Sequence, residues 1–326
     1  MSVKDLAKQE QPMSQRFMSK VISEFGSNVG EIALTDFQKR LAQNYFMATD
    51  AALKKAEAKR AVKKKNQDPV PVTWANVNME QLARDVVTYA RIGLDPGQKN
   101  HINMVPYKNN STGKYDIGFI DGYRGIELQG KKYGLDVPDA VIVELVYSND
   151  KFKSIKKSRT NQIEGYDFEI VDDFNRGEIK GGFYYHIYEE KPERNRLVVF
   201  TLADILKRKP DYASAEFWGG KKTVWKDGKP AGEEEVEGWF EKMCHKTIYR
   251  AAYRDITIDS QKIDDDYLRL KQTEMQFAEA EVAAEIEEKA NSEAIDIEST
   301  DAEFVDLPED PQPEPAAKGK AEGPDF

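Results

Sequence analysis

The chain has 326 residues, with 48 Lys+Arg against 58 Asp+Glu and a formal net charge of −10. Such an acidic total argues against a polyanionic partner, because non-specific nucleic-acid binding is largely phosphate neutralisation by Lys and Arg. The charge is unevenly spread, however: residues 261–326 carry 20 acidic residues and 6 Lys/Arg, a net of −14, which leaves +4 on the first 260 residues. The lone cysteine, Cys244, excludes an intrachain disulfide and a Cys-cluster zinc site, and the dispersed His101, His186 and His245 supply no ligand set. With no run of about 18 apolar residues and no signal-peptide stretch, a protein without membrane spans is expected, in the cytoplasm of its host.

Residues 1–30 read as a flexible N-terminal segment. Residues 31–61 read as a helix, because Leu34, Phe37, Leu41, Tyr45 and Ala48 recur at spacings of three and four. Its basic end (Lys54, Lys55, Lys59, Arg60, Lys63, Lys64, Lys65) admits two readings, a solvated helix terminus or a nucleic-acid contact. A second helix starts at Asn78, an N-cap paired with Gln81 as a capping box, and stops at Gly93. Strand patterns at 101–107 and 115–121 enclose the polar run 108–114, a hairpin.

A helix over 123–133 follows, then strands at 140–147, 166–171, 179–188 and 197–200, a helix capped by Thr201 with Asp204, and a strong helix over 236–252. In that last helix Val236, Phe240, Met243, Thr247 and Ala251 form the expected apolar face. Beyond residue 266 an Ala/Glu-rich helical stretch over 272–291 gives way to an acidic, Pro-rich end too polar to offset its own ordering entropy. The expected fold class is α+β: a small central antiparallel sheet with a β-hairpin, flanked by helices, with a disordered acidic tail. The expected division is a core over 31–260 and a largely disordered acidic tail over 261–326 with a possible partner-binding helix.

Phosphate-loop chemistry is absent. Gly125 to Lys132 has the glycine spacing, but Lys132 stands where Ser or Thr should hold magnesium, and the glycines fall within a helix. Asp264, Asp265 and Asp266 adjoin the tail, so they read as solvating groups and not as ligands of a two-metal centre. Basic residues instead alternate with aromatics: Tyr107-Lys108, Tyr123-Arg124, Phe152-Lys153, Trp225-Lys226, Tyr249-Arg250 and Tyr253-Arg254. That mixture suits single-stranded nucleic acid, with cations for the backbone and π faces for bases, although a tyrosine beside a lysine is also common on half-buried strands.

Two blocks are more specific. Gly93-Leu94-Asp95-Pro96, His101, Val105-Pro106-Tyr107 and Gly122-Tyr123-Arg124-Gly125 form the first; Trp239, Met243, Lys246-Thr247 and Arg250 form the second. Together, over about residues 75–258, they resemble the phage RecT family of single-strand annealing recombinases. The leucine-proline pair that often follows the second block there is replaced by Asp255-Ile256-Thr257-Ile258. The resemblance implies ATP-independent binding and annealing of single-stranded DNA without a cofactor or covalent chemistry, and assembly as rings or helical filaments. It also implies contact with the annealed duplex, with a phage 5′-3′ exonuclease and with the host single-stranded-DNA-binding protein.

The candidate DNA-binding residues are Tyr123 and Arg124; Lys108 and Lys114 at the hairpin tip; Lys207, Arg208, Lys221 and Lys222 around Phe217, Trp218 and Trp225; and Lys246, Arg250 and Arg254, which step by four along one helical face. Trp239 is expected to anchor that helix in the core. Rival readings are a magnesium-dependent nuclease of the same recombination pathway and a DNA-independent, self-assembling phage protein.

Overall fold

The computed structural model describes residues 11–29, 35–63, 67–210, 213–226 and 229–290. Where a flexible segment is expected, Met13–Val29 forms helix α1, whose Phe17, Val21 and Phe25, four residues apart, are all buried. That i, i+4 stripe is what holds it down; residues 1–10 lie outside the described residues. Helix α2 (Asp36–Val62) starts from a capping box in which Thr35 accepts from the Gln38 amide while the Gln38 side chain accepts from the Thr35 amide. Residues 31–34, taken as its first turn in the sequence, fall outside the described residues, as do Lys64 and Lys65.

Helix α3 (Met79–Ile92) is capped by Asn78, whose side chain accepts from the Gln81 amide, but the Gln81 side chain turns to Asp85, so the box is only half formed. Gly93 ends the helix at φ 98°, a left-handed position that glycine adopts at little cost. Strands β1 (Ile102–Asn109) and β2 (Lys114–Asp121) pair from Ile102↔Asp121 to Asn109↔Lys114, so the ladder runs into the expected tip. Helix α4 (Tyr123–Tyr133) follows directly. These elements surround one apolar cluster that includes Tyr45, Leu82, Tyr89, Phe119 and Tyr133.

A second cluster lies around the three-stranded antiparallel sheet of β3 (Ala140–Tyr147), β6 (Ile179–Ile187) and β7 (Arg196–Thr201), in the order β3-β6-β7. Two ribbons lie outside that sheet: β4 (Lys151–Ile155) with β5 (Gly165–Glu169), and β8 (Gly220–Lys226) with β9 (Lys229–Val236). Helix α5 (Leu202–Leu206) carries the expected Thr201–Asp204 capping box, and α6 (Ala215–Trp218) is one turn. Helix α7 (Phe240–Arg254) starts four residues later than expected, because Val236 closes the β8–β9 ladder. The molecule is thus α+β, with small antiparallel sheets flanked by helices.

Helix α8 (Asp265–Ala290) corrects the expected boundary at residue 260. Tyr267, Leu270 and Thr273 are buried, and Arg269 reaches the buried Asp85 at 2.9 Å. Phe277 lies on Gly118, where a Cβ would collide with its ring, and meets Tyr107 edge-on at 5.3 Å. Each apolar side chain buried there contributes roughly 1.5–3 kcal/mol, which outweighs the local charge excess. Residues 291–326, the remainder of the expected tail, lie outside the described residues.

Candidate nucleic-acid interface

Helix α4 leaves β2 at Gly122, and its first turn presses on the backbone of Asn100 and His101. A Cβ at Gly122 would collide with the Asn100 carbonyl, and one at Gly125 with the His101 carbonyl. The Arg124 amide donates to the Asn100 carbonyl at 3.1 Å. With both glycines turned onto that backbone, Tyr123 and Arg124 are left toward α7. Arg124 donates to Glu127 and to the Tyr249 hydroxyl, each at 2.7 Å, and its guanidinium lies 5.5 and 5.3 Å from the Tyr123 and Tyr249 rings. Lys131 reaches the other Glu127 oxygen at 2.8 Å, and the Tyr249 hydroxyl donates to Glu127 at 2.6 Å.

Burial alone would raise the Glu127 carboxyl, but the bonds from Lys131, Tyr249 and Arg124 prevail and hold it at about 2. The Tyr249 phenol is pushed up by burial and by that carboxylate. Tyr123 and Tyr249 meet edge-on at 5.1 Å, and Tyr249 and Tyr253 lie 5.0 Å apart. A carboxylate with two cations and the hydroxyls of Tyr249 and Tyr253 therefore joins α4 to α7.

Along α7, Lys246, Arg250 and Arg254 share one face with Lys242, also four residues away, so the row is four cations long. At 1.5 Å per residue it spans about 18 Å. Among the described residues none of the four has a carboxylate within ion-pair distance. The half-buried Lys246 is shifted down by burial and then by Arg250; Arg250 is shifted down by burial and then by Arg254, with Asp121 and Glu274 opposing from β2 and α8. Cations that disfavour each other in partly desolvated positions suit an anion supplied from outside.

The other candidates fare differently. Lys108 is not free at the tip, because the ladder extends past it and it is paired with Asp68 at 2.6 Å. Lys114 is exposed beside a groove lined by Arg16, Lys20, Trp74 and Glu80. Lys221 and Lys222 are engaged by Glu233 at 3.0 Å and Glu216 at 2.5 Å, and face Glu235 and Glu234 across the ladder. Lys207 is 3.9 Å from Asp204, and Arg208 lies over the Phe200 ring at 4.8 Å. Of their aromatic neighbours Trp218 is buried, Phe217 is 54% exposed, and the Trp225 side chain lies outside the described residues.

Trp239 does not anchor α7 in the core. It sits at the N-cap, 56% exposed, with the Lys242 ammonium 4.1 Å from its ring, so it extends the cation row with an aromatic. The buried stripe is Cys244, Ile248 and Ala252, rotated from the face expected. Lys242 and Trp239 were missed, although four-residue spacing backwards from Lys246 marks the lysine. Two of the three aspartates at the start of α8 have structural partners, Asp264 accepting from the Tyr133 hydroxyl and the Tyr267 amide and Asp266 facing Arg91 at 3.6 Å, while Asp265 is exposed.

Residues 55–290 match the RecT family. The chain belongs to the RecT family. It matches no curated protein and no solved structure. The matched region holds both sequence blocks, the α4–α7 junction and the cation row, as well as α8. Membership identifies a RecT-type single-strand annealing protein, and so a role in DNA recombination. None of the described helices is long and apolar enough to cross a membrane.

Proposed function

We propose that this RecT-family protein binds single-stranded DNA along Lys242, Lys246, Arg250 and Arg254, with Trp239 and the tyrosines of the α4–α7 junction beside the bases, and anneals it to a complementary strand without nucleotide hydrolysis. The observation that carries this reading is the row itself, four cations over about 18 Å with no carboxylate partner among the described residues. Annealing is downhill, since stacking yields about 1.4 kcal/mol per base-pair step, so the protein has only to neutralise strand repulsion and keep bases accessible. No bond-making group is called for. By family likeness the protein works as a ring or helical filament on DNA cut back by a phage 5′-3′ exonuclease, in company with the host single-stranded-DNA-binding protein, within the bacterial cytoplasm.

The test is annealing of labelled complementary oligonucleotides without ATP, with and without magnesium. Full-length duplex in both conditions is the expected result. Shortened strands appearing only with magnesium would indicate a nuclease instead, and oligomers that form without engaging DNA would indicate a self-assembling structural protein.

A further inference from the structure

The central sheet has two differently dressed faces. On β6, Gly182, Tyr184 and His186 face α7: Ile248 lies against Gly182, His186 Nε2 is 3.0 Å from the Ala252 carbonyl, and the Tyr184 hydroxyl donates to Asp255 at 2.8 Å. Phe183 and Tyr185 point the other way, as strand alternation requires. There the β4–β5 ribbon covers them: Phe152 stacks on Phe183 at 4.9 Å, and Tyr166 lies 4.5 Å from Phe183 and 5.4 Å from Tyr185.

That ribbon closes in a basic turn. Residues 151–163 hold Lys151, Lys153, Lys156, Lys157 and Arg159 and no acidic residue. Lys151 and Lys156 are matched by Glu169 at 3.1 Å and Glu164 at 3.5 Å. Lys157 donates only to the Glu193 carbonyl at 2.7 Å, and Lys153, Lys157 and Arg159 have no carboxylate within ion-pair distance among the described residues. The turn is tied into one shape: Ser158 Oγ accepts from the Asn161 amide at 3.1 Å, and Asn161 Nδ2 donates to the Lys156 and Ile163 carbonyls at 3.1 and 2.6 Å. The Leu197 amide, donating to Glu164 at 2.7 Å, anchors its base to β7. Lys153, exposed on β4 opposite Asp167, and Lys157 and Arg159, exposed on the tied turn beyond it, together offer cations of the kind that pair with phosphate.

We propose that Lys153, Lys157 and Arg159 form a second DNA-backbone site, which captures another single strand while the first lies along α7. The proposal rests on the α7 reading of the first strand. Helix α7 and the β4–β5 ribbon lie on opposite faces of the sheet, so the two sites are placed to hold different strands. The turn acts by capture and steering: it raises the local concentration of incoming strand at a surface already holding its complement.

The experiment compares full-length protein with the Lys153→Ala/Lys157→Ala/Arg159→Ala variant, measuring affinity for one labelled oligonucleotide, the annealing rate on adding its complement, and particle size by sedimentation. Expected are unchanged first-strand affinity and particle size, and an annealing rate lower by about tenfold, the low end of electrostatic steering. An unchanged rate would overturn the proposal, as would first-strand affinity falling in step with the rate. A changed particle size would overturn it in favour of a contact between copies. If the unsubstituted protein neither bound nor annealed DNA, the α7 reading would fail, and this proposal with it.

Discussion

Helix α7 and the β8–β9 ribbon both carry basic residues near a tryptophan in the sequence, yet they present opposite surfaces. On the ribbon, Lys221 and Lys222 meet Glu233 and Glu216, and the glutamates at 233–235 run along the facing strand. On α7 the row from Lys242 to Arg254 has no such partners among the described residues, and its half-buried members Lys246 and Arg250 are pushed down by burial and by like charges. Charge neutralised within a fold has little left for a phosphate, whereas uncompensated charge gains from one. What separates the two regions is where the acidic residues fall.

The double variant Lys246→Ala/Arg250→Ala should have the largest effect. Charge-assisted hydrogen bonds are worth about 1.5–3 kcal/mol each, so single-strand affinity should fall by roughly tenfold or more per side chain, as measured by fluorescence anisotropy. The paired ribbon supplies the contrast: Lys221→Ala/Lys222→Ala should change affinity by less than about twofold. A large loss there would mean that DNA engages the paired ribbon as well.

Glu127→Gln sharpens that contrast from the other side. This carboxylate engages Arg124 and Lys131, and its neutral replacement should free both cations and tighten DNA binding several-fold, with the salt dependence becoming steeper. Unchanged binding would limit the junction to a structural role. Lys108→Ala should cost under about 1 kcal/mol of stability through loss of the Asp68 pair, with DNA affinity intact.

The smallest expected effect is on pH. Burial raises the Asp85 carboxyl to about 6 despite Arg269, and burial together with Glu274 raises Asp121. Both groups hold protons in the folded chain at pH values where the unfolded chain has released them. Their contribution is therefore fully present below the ordinary Asp range and is lost as pH rises through their folded values. Urea midpoints should decline between about pH 4 and 7, and Asp121→Asn should flatten the decline.

Much of this fold is legible as local periodicity. The hairpin, α4, β3 and β6 follow their sequence patterns closely, because each alternates or repeats against a core. The β8–β9 ribbon was not legible, since among its described side chains the pairing sets Lys221 and Lys222 opposite Glu235 and Glu234. Nor was the docking of α8, where a few residues (Tyr267, Leu270, Phe277) set in an acidic stretch decide the outcome through distant partners. At the site, the four-residue step of Lys246, Arg250 and Arg254 could be read directly. The pairing of Lys108 and Lys222 could not, because Asp68 and Glu216 approach them only in the folded chain.

In the proposed function the unpaired α7 row grips a phosphate backbone. The most direct measurement of that grip is the slope of log affinity against log salt for a single-stranded oligonucleotide, in the unsubstituted protein and in Lys246→Ala/Arg250→Ala. For single strands each lost phosphate contact should flatten the slope by about 0.7, so the double variant should be shallower by about 1.4. Parallel slopes with equal affinities would contradict the assignment and place the DNA elsewhere on the molecule.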